Sequence, residues 1–266
     1  MISMPPVANC ERKKGCNMDQ MFYRTDVGKV RSHNEDAAEI FKSGDATILA
    51  VADGMGGHAC GEVASKMVID TLREALSQKV AFDDPESIRK WMKSLLIQIN
   101  EEILGYIKEK EVEKGMGTTV VLSVITPELI VFAHIGDSRA YLLSQNRFRQ
   151  ITSDHTFVRK LVEEGKLSEK RAKSHPHRNI IMNALGVGST VKFDYLVLEK
   201  YDLEAVLLCT DGLSSMIEDC EIQKILQLKV PVREKVEKLI DRANEKGGRD
   251  NITAALYEFG ERSGNK

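Results

Sequence analysis

The chain has no apolar run near the roughly 18 residues that cross a bilayer as a helix, so a helical membrane protein is excluded. Residues 1–9 hold Pro5 and Pro6 and lack the basic-then-apolar order of a signal peptide. Cysteine is sparse and odd in number, with Cys10, Cys16, Cys60, Cys209 and Cys220 among 266 residues and no CxxC pair. That pattern excludes a disulfide framework and a dithiol redox motif, and it reads as free thiols in a reducing, cytoplasmic compartment. None of the five is followed by arginine six positions on, so the Cys-x5-Arg phosphate loop of cysteine phosphatases is absent too. Charge of one sign is lacking: 38 basic and 40 acidic residues leave a net charge of −2, and nothing favours long-range capture of nucleic acid. There is no HExxH and no Cys-His ligand spacing, which removes the zinc motifs, and no GxxxxGK[ST], which removes a P-loop nucleotide hydrolase. No linker rich in Pro, Gly or Ser and no repeat divides the chain, so one domain is expected over residues 18–260. Residues 1–17 and 261–266 read as tails.

What is present is an ordinary globular composition, 42% hydrophobic and 29% charged, in a chain long enough to bury a proper core. Short apolar, β-branched segments at 47–52, 118–125, 129–135, 139–143, 148–151, 205–209 and 252–259 end on turn residues and read as strands in antiparallel pairing. Three segments carry a one-sided apolar stripe at helical spacing. These are 61–76, a long one from Pro85 through Ile107, and 232–243, the last stopped by Gly247-Gly248. A single apolar stripe needs a sheet to cover, so hairpin strands plus covering helices predict a layered α+β domain.

The informative feature is where the aspartates fall. Asp53, Asp137 and Asp211 each end an apolar run beside a glycine, and Asp250 immediately precedes a further strand. Any one of them alone is explained by a turn, since Asp-Gly is a common hairpin signal. Four at strand ends are different, because strand ends in a sheet lie about 5 Å apart and can bring carboxylates to one rim. Converged carboxylates repel unless a cation neutralises them, and an all-oxygen site suits Mg²⁺ or Mn²⁺. A second cluster, Arg31-Ser32-His33-Asn34-Glu35-Asp36, reads by itself as a solvated polar loop. Beside a dimetal site it becomes an anion clamp, because a guanidinium grips phosphate through paired hydrogen bonds.

Taken in order, Arg31-x-x-Asn34-Glu35-Asp36, Val51-Ala52-Asp53-Gly54-Met55-Gly56-Gly57-His58, Gly117-Thr118-Thr119, Ile135-Gly136-Asp137-Ser138-Arg139, Cys209-Thr210-Asp211-Gly212-Leu213 and Asp250-Asn251-Ile252-Thr253 resemble the motifs of the metal-dependent protein phosphatases of type 2C, in their bacterial serine/threonine branch. The resemblance extends over residues 25–258. It implies an αββα sandwich of two antiparallel sheets flanked by helices. It also implies hydrolysis of phosphoserine and phosphothreonine in proteins by a metal-activated water. Asp53 would bridge two Mn²⁺ or Mg²⁺ ions, the Gly54 carbonyl would bind one, and Asp211 with Asp250 would complete the other. Asp137, with Asp211, resembles the position of a third ion. Arg31 would bind the substrate phosphate, and Glu35 and Asp36 would orient water. Residues 152–179 match a mobile flap. The expected partners are phosphorylated proteins and a separate serine/threonine kinase, with no nucleic acid, no membrane and a monomeric state.

One position departs from the eukaryotic pattern: Met55 stands where those relatives carry a histidine assigned as general acid, leaving His58, His33 or a water for that role. His134, in a strand, reads as a packed residue rather than a ligand. Gly54-Met55-Gly56-Gly57-His58-Ala59 also satisfies a dinucleotide fingerprint, with Asp70 as its acid. Asp70 falls inside a helical pattern, however, and Asp53 would set a carboxylate against a pyrophosphate. Two further rivals are a scaffold without activity, which would be expected to lose an aspartate or the arginine, and a phosphatase dedicated to one regulatory protein.

Overall fold

The computed structural model describes residues 19–56, 60–78, 80–145 and 147–260, so both expected tails and His58 lie outside the described residues. The chain begins with β1 (Gln20–Asp26), β2 (Asp36–Ser43) and β3 (Ala46–Gly56), then α1 (Cys60–Ser77) and α2 (Pro85–Glu109). Five strands follow: β4 (Met116–Thr118), β5 (Val120–Ile125), β6 (Leu129–Ile135), β7 (Arg139–Ser144) and β8 (Arg147–Gln150). Two short helices, α3 (Phe157–Glu163) and α4 (Glu169–Ala172), precede β9 (Asp194–Glu199) and β10 (Leu203–Cys209). The chain closes with α5 (Asp211–Ser214), α6 (Asp219–Leu226), α7 (Val232–Glu245) and β11 (Ile252–Glu258).

Two antiparallel sheets result, one ordered β1-β11-β10-β7-β8 and the other β2-β3-β5-β6-β9, with β4 paired to the far end of β3. The two-residue period of a strand divides the core into layers. In β3, Leu49 and Val51 point inward and meet Leu142, Val206, Leu208 and Ala255 of the opposite sheet. Ile48, Ala50 and Ala52 point outward, against Val68 and Leu72 of α1 and Leu96 and Ile99 of α2. β10 does the same for the other sheet, with Leu207 and Cys209 turned toward Val236, Leu239 and Ile240 of α7. The expected αββα sandwich is therefore formed. Strands buried on both faces read as unbroken apolar runs because neither face meets water.

The helices follow their stripes. Asp84 caps α2 through a reciprocal capping box with Ser87, and Pro85 occupies the first turn, where no N–H is needed. Past the end of α7, Gly247 and Gly248 take positive φ, as a helix stop requires. The segment expected as one strand over 118–125 is interrupted at Thr119, although the register carries through, with Val51 opposite Val121 and Gly54 opposite Thr118. The strands without an apolar signal, β1, β2 and β9, all lie at sheet edges, where one side of each is half-exposed and polar residues interleave. Among the described residues no helix is long and apolar enough to cross a membrane.

Candidate active site

Both sheets contribute to one end of the sandwich. Asp36 opens β2 directly opposite Asp53 of β3. Asp137 sits in the turn that carries the chain from β6 in one sheet to β7 in the other, after Gly136 at φ +106°. Asp211 opens α5 immediately after β10, and Asp250 precedes β11. The close approach of these segments depends on missing side chains. A Cβ on Gly54 would run into the Gly61 carbonyl at the start of α1, and one on Gly212 would run into the Asn251 carbonyl.

The electrostatics show that the carboxylates converge. Burial raises Asp53 well above its ordinary value, and the charges of Asp36, Asp211, Asp137 and Asp250 all push it the same way. Asp36 is pushed up to about 7, first by burial and then by Asp211 and Asp250, against the Thr253 and Thr210 hydroxyls that donate to its Oδ2 at 2.7 and 2.8 Å. Burial and Asp211 push Asp137 to about 7, and burial and Asp250 push Asp211 to about 6. Asp36 Oδ1 and Asp137 Oδ1 are buried with no hydrogen-bond partner. Unpaired carboxylate oxygens in an acidic cluster are donors of the kind that hard divalent cations take. The chemistry of this all-oxygen donor set suits Mn²⁺ or Mg²⁺.

Arg31 reaches this cluster from the loop between β1 and β2 and donates to Asp250 Oδ2 at 2.8 Å. Glu35, raised by burial, lies on the same loop, and its carbonyl accepts from Gly54 N–H at 3.0 Å. Residues 152–179, with α3 and α4, line a cleft of about 770 Å³ together with Asp137, Asp211 and the start of α6. His33 is exposed on the Arg31 loop. Met55 is half-buried opposite Gly117.

His134 is packed, as expected, and burial pushes it down to about 4. It lies beside His155 and Asp194, three potential ligands close together. The hydrogen bonds of His155 argue against a ligand role. His155 Nδ1 accepts from Gly136 N–H at 3.2 Å, so its proton is on Nε2, facing Asp194 Oδ2 at 3.2 Å. A metal-bound imidazole would instead donate with its second nitrogen.

Sequence reasoning recognised the motifs holding Thr210, Thr253, Thr119 and Asn251 but gave these residues no role. Thr119 Oγ1 accepts from Asp53 N–H at 3.0 Å and meets Ser138 Oγ at 2.7 Å, which ties the bridging strand to the Asp137 turn. The available signal was a hydroxyl or amide residue adjoining an acidic one at a strand end.

The model of the family described as Protein phosphatase 2C matches residues 28–257. The chain belongs to the protein phosphatase 2C family. It is 40% identical over 237 residues to the serine/threonine phosphatase stp of Listeria welshimeri, across 89% of this chain and 94% of that protein. Its fold is similar to the crystal structure of the serine/threonine phosphatase Stp1 from Staphylococcus aureus, at TM-score 0.86 and 33% identity, covering 95% of this chain and 99% of that one. It is also similar to the catalytic domain of the serine/threonine protein phosphatase PstP in complex with two manganese ions. There the TM-score is 0.79 and the identity 34%, covering 90% of this chain and 97% of that one. In this type 2C chain the dinucleotide reading of residues 54–59 is set aside, because Asp70 lies on α1, paired with Arg73, and not at the end of a second strand.

Proposed function

We propose that this protein hydrolyses phosphoserine and phosphothreonine monoesters in other proteins, with residues 18–260 as the catalytic domain, in the cytoplasm and opposite a separate kinase. The observation that carries the reading is a set of mutually repelling carboxylates beside an arginine, two of them, Asp36 and Asp137, each with a buried unpaired oxygen. Asp53, the Gly54 carbonyl, Asp211 and Asp250 would hold two ions, and Asp137 with Asp211 would serve a third. The ions, when bound, supply an activated water and neutralise charge at the phosphoryl group. Arg31 takes the phosphate. Asp36, fixed by the two threonine hydroxyls, and Glu35 accept hydrogen bonds from water and hold it in line. The candidates for the general acid are His33 on the Arg31 loop, His58 and a water.

The test is release of phosphate from a phosphothreonine peptide by the purified protein, with Mn²⁺ and with chelator. Release is expected with Mn²⁺ alone; release in chelator, or none at any Mn²⁺ level, sinks the reading. Arg31→Ala removes a charge-assisted contact worth about 1.5–3 kcal/mol, so KM for the peptide is expected to rise roughly ten- to a hundredfold with Mn²⁺ affinity retained.

A further inference from the structure

Arg31 sits near the tip of an exposed loop, residues 27–35, where Val30 is 67% exposed and, among the described residues, Asp250 is the one hydrogen-bond partner of the Arg31 guanidinium. Such a tip is free to wander unless its neck is closed. Asn34 Nδ2 donates to Thr25 Oγ1 across the neck at 2.8 Å, and one side chain from another part of the fold binds both sides of it. Asn251, 5% exposed at the start of β11, donates from Nδ2 to the Val27 carbonyl at 3.0 Å and to the His33 carbonyl at 2.8 Å. Its Oδ1 accepts from Glu35 N–H at 2.8 Å. A primary amide offers two donors and one acceptor oxygen in a plane, and here it binds main-chain groups on both sides of the loop at once. No hydroxyl or carboxylate of similar size reproduces that donor and acceptor set.

A second contact pins the loop from its other side. Lys29 N–H donates to the Gly248 carbonyl at 2.7 Å. Gly28, at φ +79°, lies so close to the Asp250 and Gly248 carbonyls that a Cβ would not fit. The loop is therefore seated on the segment that carries Asp250, with Asn251 as its central tie.

We infer that Asn251 is a positioning residue for substrate phosphate: it ties the neck of the 27–35 loop and so fixes Arg31 over the aspartate cluster. The inference rests on the reading of Arg31 as the phosphate clamp. Pre-organisation of a binding group shows as affinity, because a loose clamp must be ordered again for each substrate. Asn251 acts through Arg31, so its effect disappears when Arg31 is gone.

The experiment is a double-mutant cycle on the Mn²⁺-loaded protein. It uses Arg31→Ala, Asn251→Ala and the pair, reading KM and kcat for a phosphothreonine peptide, competitive inhibition by inorganic phosphate, and Mn²⁺ affinity by calorimetry. Asn251→Ala is expected to raise KM and the inhibition constant of phosphate by about three- to tenfold, with kcat and Mn²⁺ affinity within about twofold of the parent. Added to Arg31→Ala, it is expected to raise KM by less than about twofold more. Gly28→Ala, which disturbs the same seat without touching Asn251, is expected to give the same KM effect and the same non-additivity. It decides the matter if Asn251→Ala does not fold. Additive effects, a loss confined to kcat, or a parallel loss of Mn²⁺ affinity overturn the inference while leaving Arg31 as the clamp. An unchanged KM in Arg31→Ala alone overturns the clamp reading and the inference with it.

Discussion

Carboxylates crowded together raise the free energy of the folded chain, and Asp53 is pushed toward its neutral form by partial burial and by four neighbouring acids. Asp53→Asn removes the charge and leaves the shape. In chelator, the substituted protein is expected to melt higher than the parent; with Mn²⁺ it is expected to lose activity and bind ions weakly by calorimetry. Full activity in Asp53→Asn would remove it from the centre. Cys209 poses the opposite question, since it is two residues from Asp211 and could be mistaken for a nucleophile. It is fully buried against α7, and burial pushes its thiol up to about 12. A thiol held neutral at physiological pH is a poor nucleophile. Cys209→Ala is expected to keep kcat within about twofold of the parent, and a peptide assay that finds all activity lost while Mn²⁺ still binds would contradict this.

At the scale of elements, the site exists because helices and strands approach at glycine. The start of α1 packs on β3 at Gly54 and Gly61, and α5 packs on β11 at Gly212. Each contact is backbone on backbone, so a methyl group cannot be absorbed by turning a side chain. Gly212→Ala is expected to cost about 2–3 kcal/mol or more in urea denaturation, at the upper end of overpacking effects. An unchanged midpoint would show that α5 moves freely off β11. Gly44, by contrast, has open space around a Cβ.

For the molecule as a whole, the cluster couples stability to pH and to metal. Asp36 and Asp137 rise from an ordinary 3.8 to about 7 and Asp211 to about 6, so the metal-free native state binds more protons than the unfolded chain across that window. Stability in chelator is therefore greatest near the lower end and falls as pH rises from about 4 to about 7. Cations displace those protons, so stabilisation by Mn²⁺ grows over the same range. At a hundredfold excess over its dissociation constant one ion adds about 2.7 kcal/mol, which raises Tm by about 5–10 °C in a domain of this size. Calorimetric scans at several pH values with chelator and with Mn²⁺ check this; a metal-free Tm that climbs between pH 5 and 7 would refute it. The acids come from both sheets, β2 and β3 on one side and the β10 and β11 ends on the other. Bound ions would thus fasten the two sheets together at one end.

The sequence by itself determined the central strands, the three long helices and the acidic strand ends. Each is written locally, as an apolar run, a helical stripe or an aspartate at a turn. The edge strands β1, β2 and β9 were not legible, because half-exposed strands mix polar and apolar residues and their pairing depends on partners far along the chain. Only the tertiary structure decided which acids face one another, since Asp36 meets Thr210 and Thr253 across separations of 174 and 217 residues. The same holds for Asn251, whose hydrogen bonds to the Arg31 loop span more than 200 residues. Spacing along the chain carries no information about such contacts, because the packing of one sheet on the other makes them.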